Sequence, residues 1–410
     1  MRTMRNFPTP MKYHGEPLLT CLILGLTASQ VLAVGFRLPN QDPEGIARGN
    51  AFAATADNPS AIYYNPAGIS QLEGQQLSLG AYFISTGVDY ESPTGQTTST
   101  VQDFQAVPQI YYVCSPEDSR FSFGLGIYAP YGLGIEYEGD SPFPTLAQEA
   151  ELLYACFNPV VAYQLMPCLS VAAGLTLNYS EVTLNRQIGI SPGDEFRFEG
   201  DGFVTGFNLG LLWQPDPMWS FGLNFRSPTE VDYSGESIAE PYSDERSTEA
   251  SLNFPCFIVG GVSFRPNDQW NFEFNLDWTD WESVNDTEFK GTYGGDQIFP
   301  FRYEGGFMYN FGITRKFEGG YFVSAGYIYS ENNVPDATFT PLNPDSDLQL
   351  GSIGFGHRGE RFGWACAYHF AYNGGREVSG NQAVSPAKET VNGEYETLNH
   401  AINLSVRYSF

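Results

Sequence analysis

Three histidines, His357, His369 and His400, and five cysteines, Cys114, Cys156, Cys168, Cys256 and Cys366, lie beyond the first 33 residues. An imidazole does acid–base or metal chemistry only beside a nucleophile, a carboxylate or a second ligand. None of these three has such a partner at a recognisable spacing, and no HExxH or GxSxG occurs. A lipid-facing esterase would need a serine beside His400, and none is identified. The cysteines are odd in number, far apart and without a CxxC pair. They predict neither a zinc site nor a full disulfide framework, although a single bridge is compatible. The expectation is therefore no enzyme, no metal and no cofactor. Arg226 and Arg302 remain, both on the small or polar side of alternating segments, where a guanidinium suits a ligand carboxylate. Asp277 and Glu304 share that parity and read as polar lining, or as partners of Arg302, rather than as an acid/base dyad.

These side chains must be positioned by an unusual scaffold. The 410 residues are 15% aromatic, with 25 Tyr, 32 Phe and 44 Gly, but carry only 20 Lys and Arg. A mean hydropathy of -0.24 and the lack of a twenty-residue apolar run exclude membrane helices. Aromatics at this level suit the interfacial girdles of a membrane barrel. The formal charge of -27 repels nucleic acid. It reads first as loop solubility, and second as a surface that meets lipopolysaccharide through divalent cations.

Alternation supplies the lipid face. Trp270, Phe272, Phe274, Leu276 and Trp278 interleave with Asn271, Glu273, Asn275 and Asp277, a period of two that no helix face accommodates. The same pattern recurs from Phe121, Leu169, Trp219 and Phe362. Tight turns at 115–119, 166–168, 214–217, 266–268, 317–319 and 359–360 alternate with longer loops at 92–100, 131–151, 189–194, 237–246, 285–297, 332–346 and 373–396. This spacing predicts an all-β, transmembrane antiparallel barrel of about fourteen strands, short turns in the periplasm and long loops outside. The last strand ends Ile402, Leu404, Val406, Tyr408, Phe410, and is similar to the signal read by the barrel-assembly machinery. Residues 1–33 read as a secretory leader, with Arg2, Arg5 and Lys12 before the apolar run from Leu18 to Thr27.

Between leader and barrel, residues 34–75 show neither period. They hold Pro39, Pro43, Pro59 and Pro66 among many Gly, Ala, Asn and Asp, and read as an irregular plug inside the barrel of residues 76–410. The ordered set from Gly35 to Gln41, Ala47 to Ala51, Ala56 to Ala61, and Asn65-Pro66-Ala67 resembles the N-terminal hatch of the FadL family. These are outer-membrane transporters of long-chain fatty acids and other hydrophobic compounds, including the toluene-type branch. The resemblance implies a lateral route through a kink in the third strand, here 119–130, where Gly124, Gly126 and Pro130 are the candidates. Apolar residues at lumen parity, Tyr128, Val204, Leu212, Phe257, Val259 and Met308, with Ile84, are candidate pocket residues. Phe143 and Leu146, in a loop where Thr145 and Gln148 have capping-box spacing, are candidate first contacts for cargo. The expected function is passive uptake of long-chain fatty acids. Aromatic or aliphatic hydrocarbons, or polar solutes through a general porin, are the alternatives.

Overall fold

The computed structural model describes residues 35–102 and 104–410; the leader reading falls outside the described residues. One antiparallel sheet contains β1 (Gly74–Glu91), β2 (Thr97–Ser99), β3 (Phe104–Ser115), β4 (Phe121–Glu136), β5 (Glu149–Met166), β6 (Leu169–Arg186) and β7 (Glu195–Trp213). It continues through β8 (Trp219–Arg226), β9 (Thr229–Glu240), β10 (Ser243–Phe254), β11 (Phe257–Asn267), β12 (Trp270–Thr279) and β13 (Asp286–Lys290). The last segments are β14 (Gln297–Pro300), β15 (Gly306–Lys316), β16 (Tyr321–Ser330), β17 (Leu348–Arg358), β18 (Phe362–Val378) and β19 (Gly393–Ser409). Pairing of β1 with β19 closes the sheet. Five staves are interrupted, β8 continuing as β9, β10 as β11, β12 as β13, β14 as β15, and β2 as β3. The result is a closed barrel of 14 strands. Pro228 and Pro255, which cannot donate to a ladder, sit at the first two interruptions.

The alternation sorts side chains as the pattern requires. Along β12, Asn271, Glu273, Asn275 and Asp277 are buried inward, while Phe272 and Leu276 stand outside. Phe123, Leu175, Phe207, Phe355 and Leu404 join an outer apolar belt. Each such side chain is worth roughly 1.5–3 kcal/mol when removed from water, so this belt requires lipid. All six tight turns fall between consecutive strands as expected. Several outer segments differ from expectation. Residues 237–246 form not a loop but the hairpin of β9 and β10, turning at Pro241 and Tyr242. Residues 285–297 contain β13 and enter β14, and β18 and β19 extend into 373–396. These strand ends project past the lipid, so they lack the greasy face that alternation detects. The third strand continues through Pro130 to Glu136.

The segment 35–72 fills the lower lumen and is almost wholly buried. Its elements are single turns set by caps. Asp42 accepts from the backbone of Glu44 and Gly45 to start Pro43–Ile46. Ala61–Tyr64 ends at Asn65, whose side chain accepts from Ala67 N to start the 3₁₀ turn Pro66–Gln71. Asn65 Nδ2 also donates to Ala53 O (2.7 Å) and Leu211 O (3.0 Å), tying this motif to both hatch and wall. The fit is too close for larger residues: a Cβ on Gly222 would lie 2.0 Å from Ala53 O.

Candidate functional site

Above the hatch is a cavity of about 500 Å³, within the roughly 300–1,000 Å³ range of pockets that enclose a drug-sized ligand. Leu133 and Leu152 line one wall, Phe289, Phe299 and Phe339 another, and Phe36 of the hatch forms the floor. Phe36 packs edge-on against Trp281, ring centroids 5.1 Å apart, and Phe254, at 5.5 Å. Gly35 holds the chain there: its φ is +59°, and any Cβ would meet the Trp281 ring at 2.5 Å. Ile298 and Val384, 62% and 89% exposed, make the outer rim greasy.

Among the described residues, one cation faces this cavity from a half-buried setting. Arg186 ends β6, and Nη1 donates to Thr145 O (2.9 Å) and Nη2 to Gln297 Oε1 (2.7 Å). Its guanidinium lies 5.4 Å from the Phe196 ring and 5.6 Å from that of Phe299, and buried Nε has no partner. Among the described residues, no carboxylate forms an ion pair with it. Sequence reasoning missed Arg186, although it continues the inward series Ser170, Ala172, Gly174, Thr176 and Asn178 along the same strand.

The two arginines chosen from parity sit elsewhere. Arg302 lies between β14 and β15 at the exposed rim of the cavity, paired with Asp286 at 2.9 and 3.0 Å. Neither Asp277 nor Glu304 is its ion-pair partner; Asp277 instead binds Arg37. Arg226 is buried lower down, donating to the Tyr128 hydroxyl at 2.5 Å and stacked near Tyr63 and Phe257. Tyr128, Leu212, Phe257 and Val259 pack on the hatch, and Ile84 joins a separate buried cluster with Leu38. Met308 and Val204 belong to the upper apolar cluster, but none of these residues lines the cavity. Parity gave their direction but not their height.

The capture loop also differs. Residues 144–146 form a single turn rather than a helix, and the Thr145 hydroxyl is engaged by Glu389 and Ser385. A lone turn does not offset helix nucleation. Phe143 is not on the surface; it is fully buried, edge-on to Tyr90 and Tyr137. Leu146 does line the cavity.

Beside the cavity the wall is incompletely paired. β3 pairs with β4 only from Ile110 opposite Ile127 to Cys114 opposite Phe123. Farther out, among the described residues, the two segments meet again through Val101 N to Glu136 O (2.8 Å), Glu138 N to Ser99 O (3.1 Å) and the Thr100–Tyr137 bridge just beyond β4. Between these levels β4 bulges at Ala129 and Pro130, where two residues oppose one of β5. Parity flips there, so Tyr128, Tyr131 and Leu133 all point inward. The β4 edge left open is taken by the hatch: Leu38 N donates to Pro130 O (2.8 Å) and Gly132 N to Phe36 O (2.9 Å). Gln41 Nε2 reaches Ala129 O (2.6 Å), and from β3 Gln109 Nε2 donates to Asn40 O (2.9 Å). Gly124 and Gly126 lie lower, in the paired part, where they make room for Ile62 of the hatch.

His369 meets the Tyr82 hydroxyl (3.2 Å), His400 that of Tyr368 (2.7 Å) and His357 the Gly319 carbonyl (3.0 Å). The five described cysteines are free thiols.

Residues 24–410 match the model of the outer membrane protein transport protein family (OMPP1/FadL/TodX). The long-chain fatty acid transport protein of Escherichia coli O6:H1 is 23% identical over 382 residues, 81% of this chain and 85% of that protein. A crystal structure of a Pseudomonas aeruginosa FadL homologue superposes with a TM-score of 0.81 at 18% identity, over 92% of this chain and 100% of that one. The Pseudomonas putida toluene transporter TodX gives 0.69 at 18%, over 93% and 99%. The barrel is plugged, its belt faces lipid and its cavity is apolar, and the chain belongs to the FadL/TodX family of outer-membrane transporters of hydrophobic compounds.

Proposed function

We propose that the protein takes up long-chain fatty acids, and that they leave sideways at the break in the β3–β4 ladder, where the hatch rather than β3 pairs with β4. Cargo first meets Ile298, Val384 and Leu146, then enters the cavity with its carboxylate at Arg186. Movement of residues 36–41 off the β4 edge connects the cavity with lipid, because Phe36 is at once the cavity floor and a backbone partner of Gly132. The break in the β3–β4 ladder carries this reading, since the hatch shuts the axial path. Arg186 favours an acid over a neutral hydrocarbon: a half-buried guanidinium whose inner Nε has no partner is costly unless a ligand supplies a carboxylate. Asn65, Pro66 and Ala67 keep the rest of the hatch in place. Arg226 is a deeper station for the carboxylate once the hatch has moved. The outer loops meet lipopolysaccharide, β19 is the strand presented for barrel assembly, and residues 1–33 are removed on export.

Mass spectrometry of compounds co-purified with the protein, followed by competition between palmitate and toluene, tests the cargo. Retained fatty acid displaced by palmitate supports the reading, whereas retention of hydrocarbon or displacement by toluene alone reassigns the site.

A further inference from the structure

Among the described residues, three fastenings through charged side chains join the hatch to the wall. Arg37 binds Asp277 of β12 through two hydrogen bonds, at 2.8 and 2.9 Å. Glu273 of β12 accepts from Ala54 N (2.7 Å), Thr55 N (3.2 Å) and the Thr55 hydroxyl. The third, on the opposite surface of the hatch sequence, has another form. Arg358, the last residue of β17, reaches two separate hatch segments at once. Its Nη1 and Nη2 grip Asp57 at 2.8 Å each, while Nε donates to Glu44 Oε2 at 3.0 Å and Nη2 closes on the same oxygen. Glu44 is in the Pro43–Ile46 turn, and Asp57 precedes Pro59 in the next loop. One planar fork thus clasps both, a geometry that the point charge of a lysine cannot reproduce.

By contrast, residues 36–38 meet β4 through backbone hydrogen bonds. The fastenings divide the hatch into an N-terminal strap, which Arg37 ties to β12 and backbone bonds tie to β4, and a body clamped by Glu273 and Arg358. We propose that Arg358 is the clasp that keeps residues 42–72 seated while the strap moves, so that its loss converts a closed barrel into an aqueous pore. This inference does not depend on the identity of the cargo.

Purified full-length barrels in planar bilayers test it, with heat-modifiable migration on gels certifying that each variant has assembled. Arg358→Ala should raise mean ion conductance at least tenfold over the near-silent parent. Arg358→Lys should fall between, because it holds one carboxylate at a time. Glu44→Gln combined with Asp57→Asn, which leaves the arginine and all backbone contacts in place, should also leak and decides the matter should the alanine variant not assemble. Assembled variants as silent as the parent would overturn the proposal, as would a leak from Arg358→Lys equal to that from Arg358→Ala.

Discussion

Replacing Arg186 by leucine should separate cargo with a carboxylate from cargo without one. In the cavity the guanidinium has two N–H groups committed, to Thr145 O and Gln297 Oε1, and its buried Nε without a partner. A carboxylate arriving there gains charge-assisted hydrogen bonds, each worth about 1.5–3 kcal/mol, in a pocket whose Phe196 and Phe299 rings keep water away. At about 1.4 kcal/mol per tenfold, losing one such bond weakens palmitate by roughly 10- to 100-fold. Hexadecanol, which has the same chain, makes no ion pair and should change by less than about threefold. Displacement of a fluorescent fatty acid from the detergent-solubilised barrel reads both ligands. Because Arg186 also holds Thr145 and Gln297, heat-modifiable migration must match the parent. Equal losses for acid and alcohol would mean that Arg186 merely shapes the cavity, and no loss for palmitate would remove it from the site.

Two further substitutions test how the hatch is held. Burial and neighbouring Glu44 push the Asp42 carboxyl up to about 7, and its three donors, Glu44 N, Gly45 N and Asn58 Nδ2, all converge on Oδ1. A raised folded value means that its stabilising contribution is fully present below the unfolded value near 4 and is lost as pH rises through about 7. Thermal unfolding should therefore show a stability decline across this window that Asp42→Asn flattens; an unchanged slope in the variant would assign the decline to other groups. Gly222→Ala drives a methyl to 2.0 Å from Ala53 O and should cost about 1–3 kcal/mol, as overpacking does. Its melting temperature and bilayer conductance are the measurements, and a variant as stable and as closed as the parent would show that the hatch simply shifts.

Much of the wall was legible in advance because lipid imposes a rule on every second residue. The Asn271 to Asp277 series and all six tight turns follow from that rule alone. It lapses wherever lipid does, which is why the hairpin at 237–246 and the strands inside 285–297 read as loops. The cavity was less legible for a related reason. Inward parity selects Tyr128, Leu212, Phe257 and Val259, but only the third dimension shows that the hatch reaches their level, while the cavity is built higher up from strand ends and outer loops. Arg186 was accessible by extending the β6 alternation past Asn178. The β4 break was only half legible. Pro130 marks the bulge, but the partial pairing of β3 depends on contacts far apart in sequence, as does the placing of Phe36 to Leu38 against the freed edge.

The central claim, that cargo leaves through the wall when the strap moves, is tested most directly by fastening that strap. Leu38 and Pro130 lie opposite each other across the backbone pairing, Leu38 N to Pro130 O being 2.8 Å, and directly opposed residues bring Cβ atoms to about 4.5–5.5 Å, near the reach of a disulfide. In cells carrying Leu38→Cys with Pro130→Cys, palmitate uptake should stop on oxidation and return with a reductant, while Leu38→Cys alone is indifferent to both. Undiminished uptake with the cross-link formed would contradict the account.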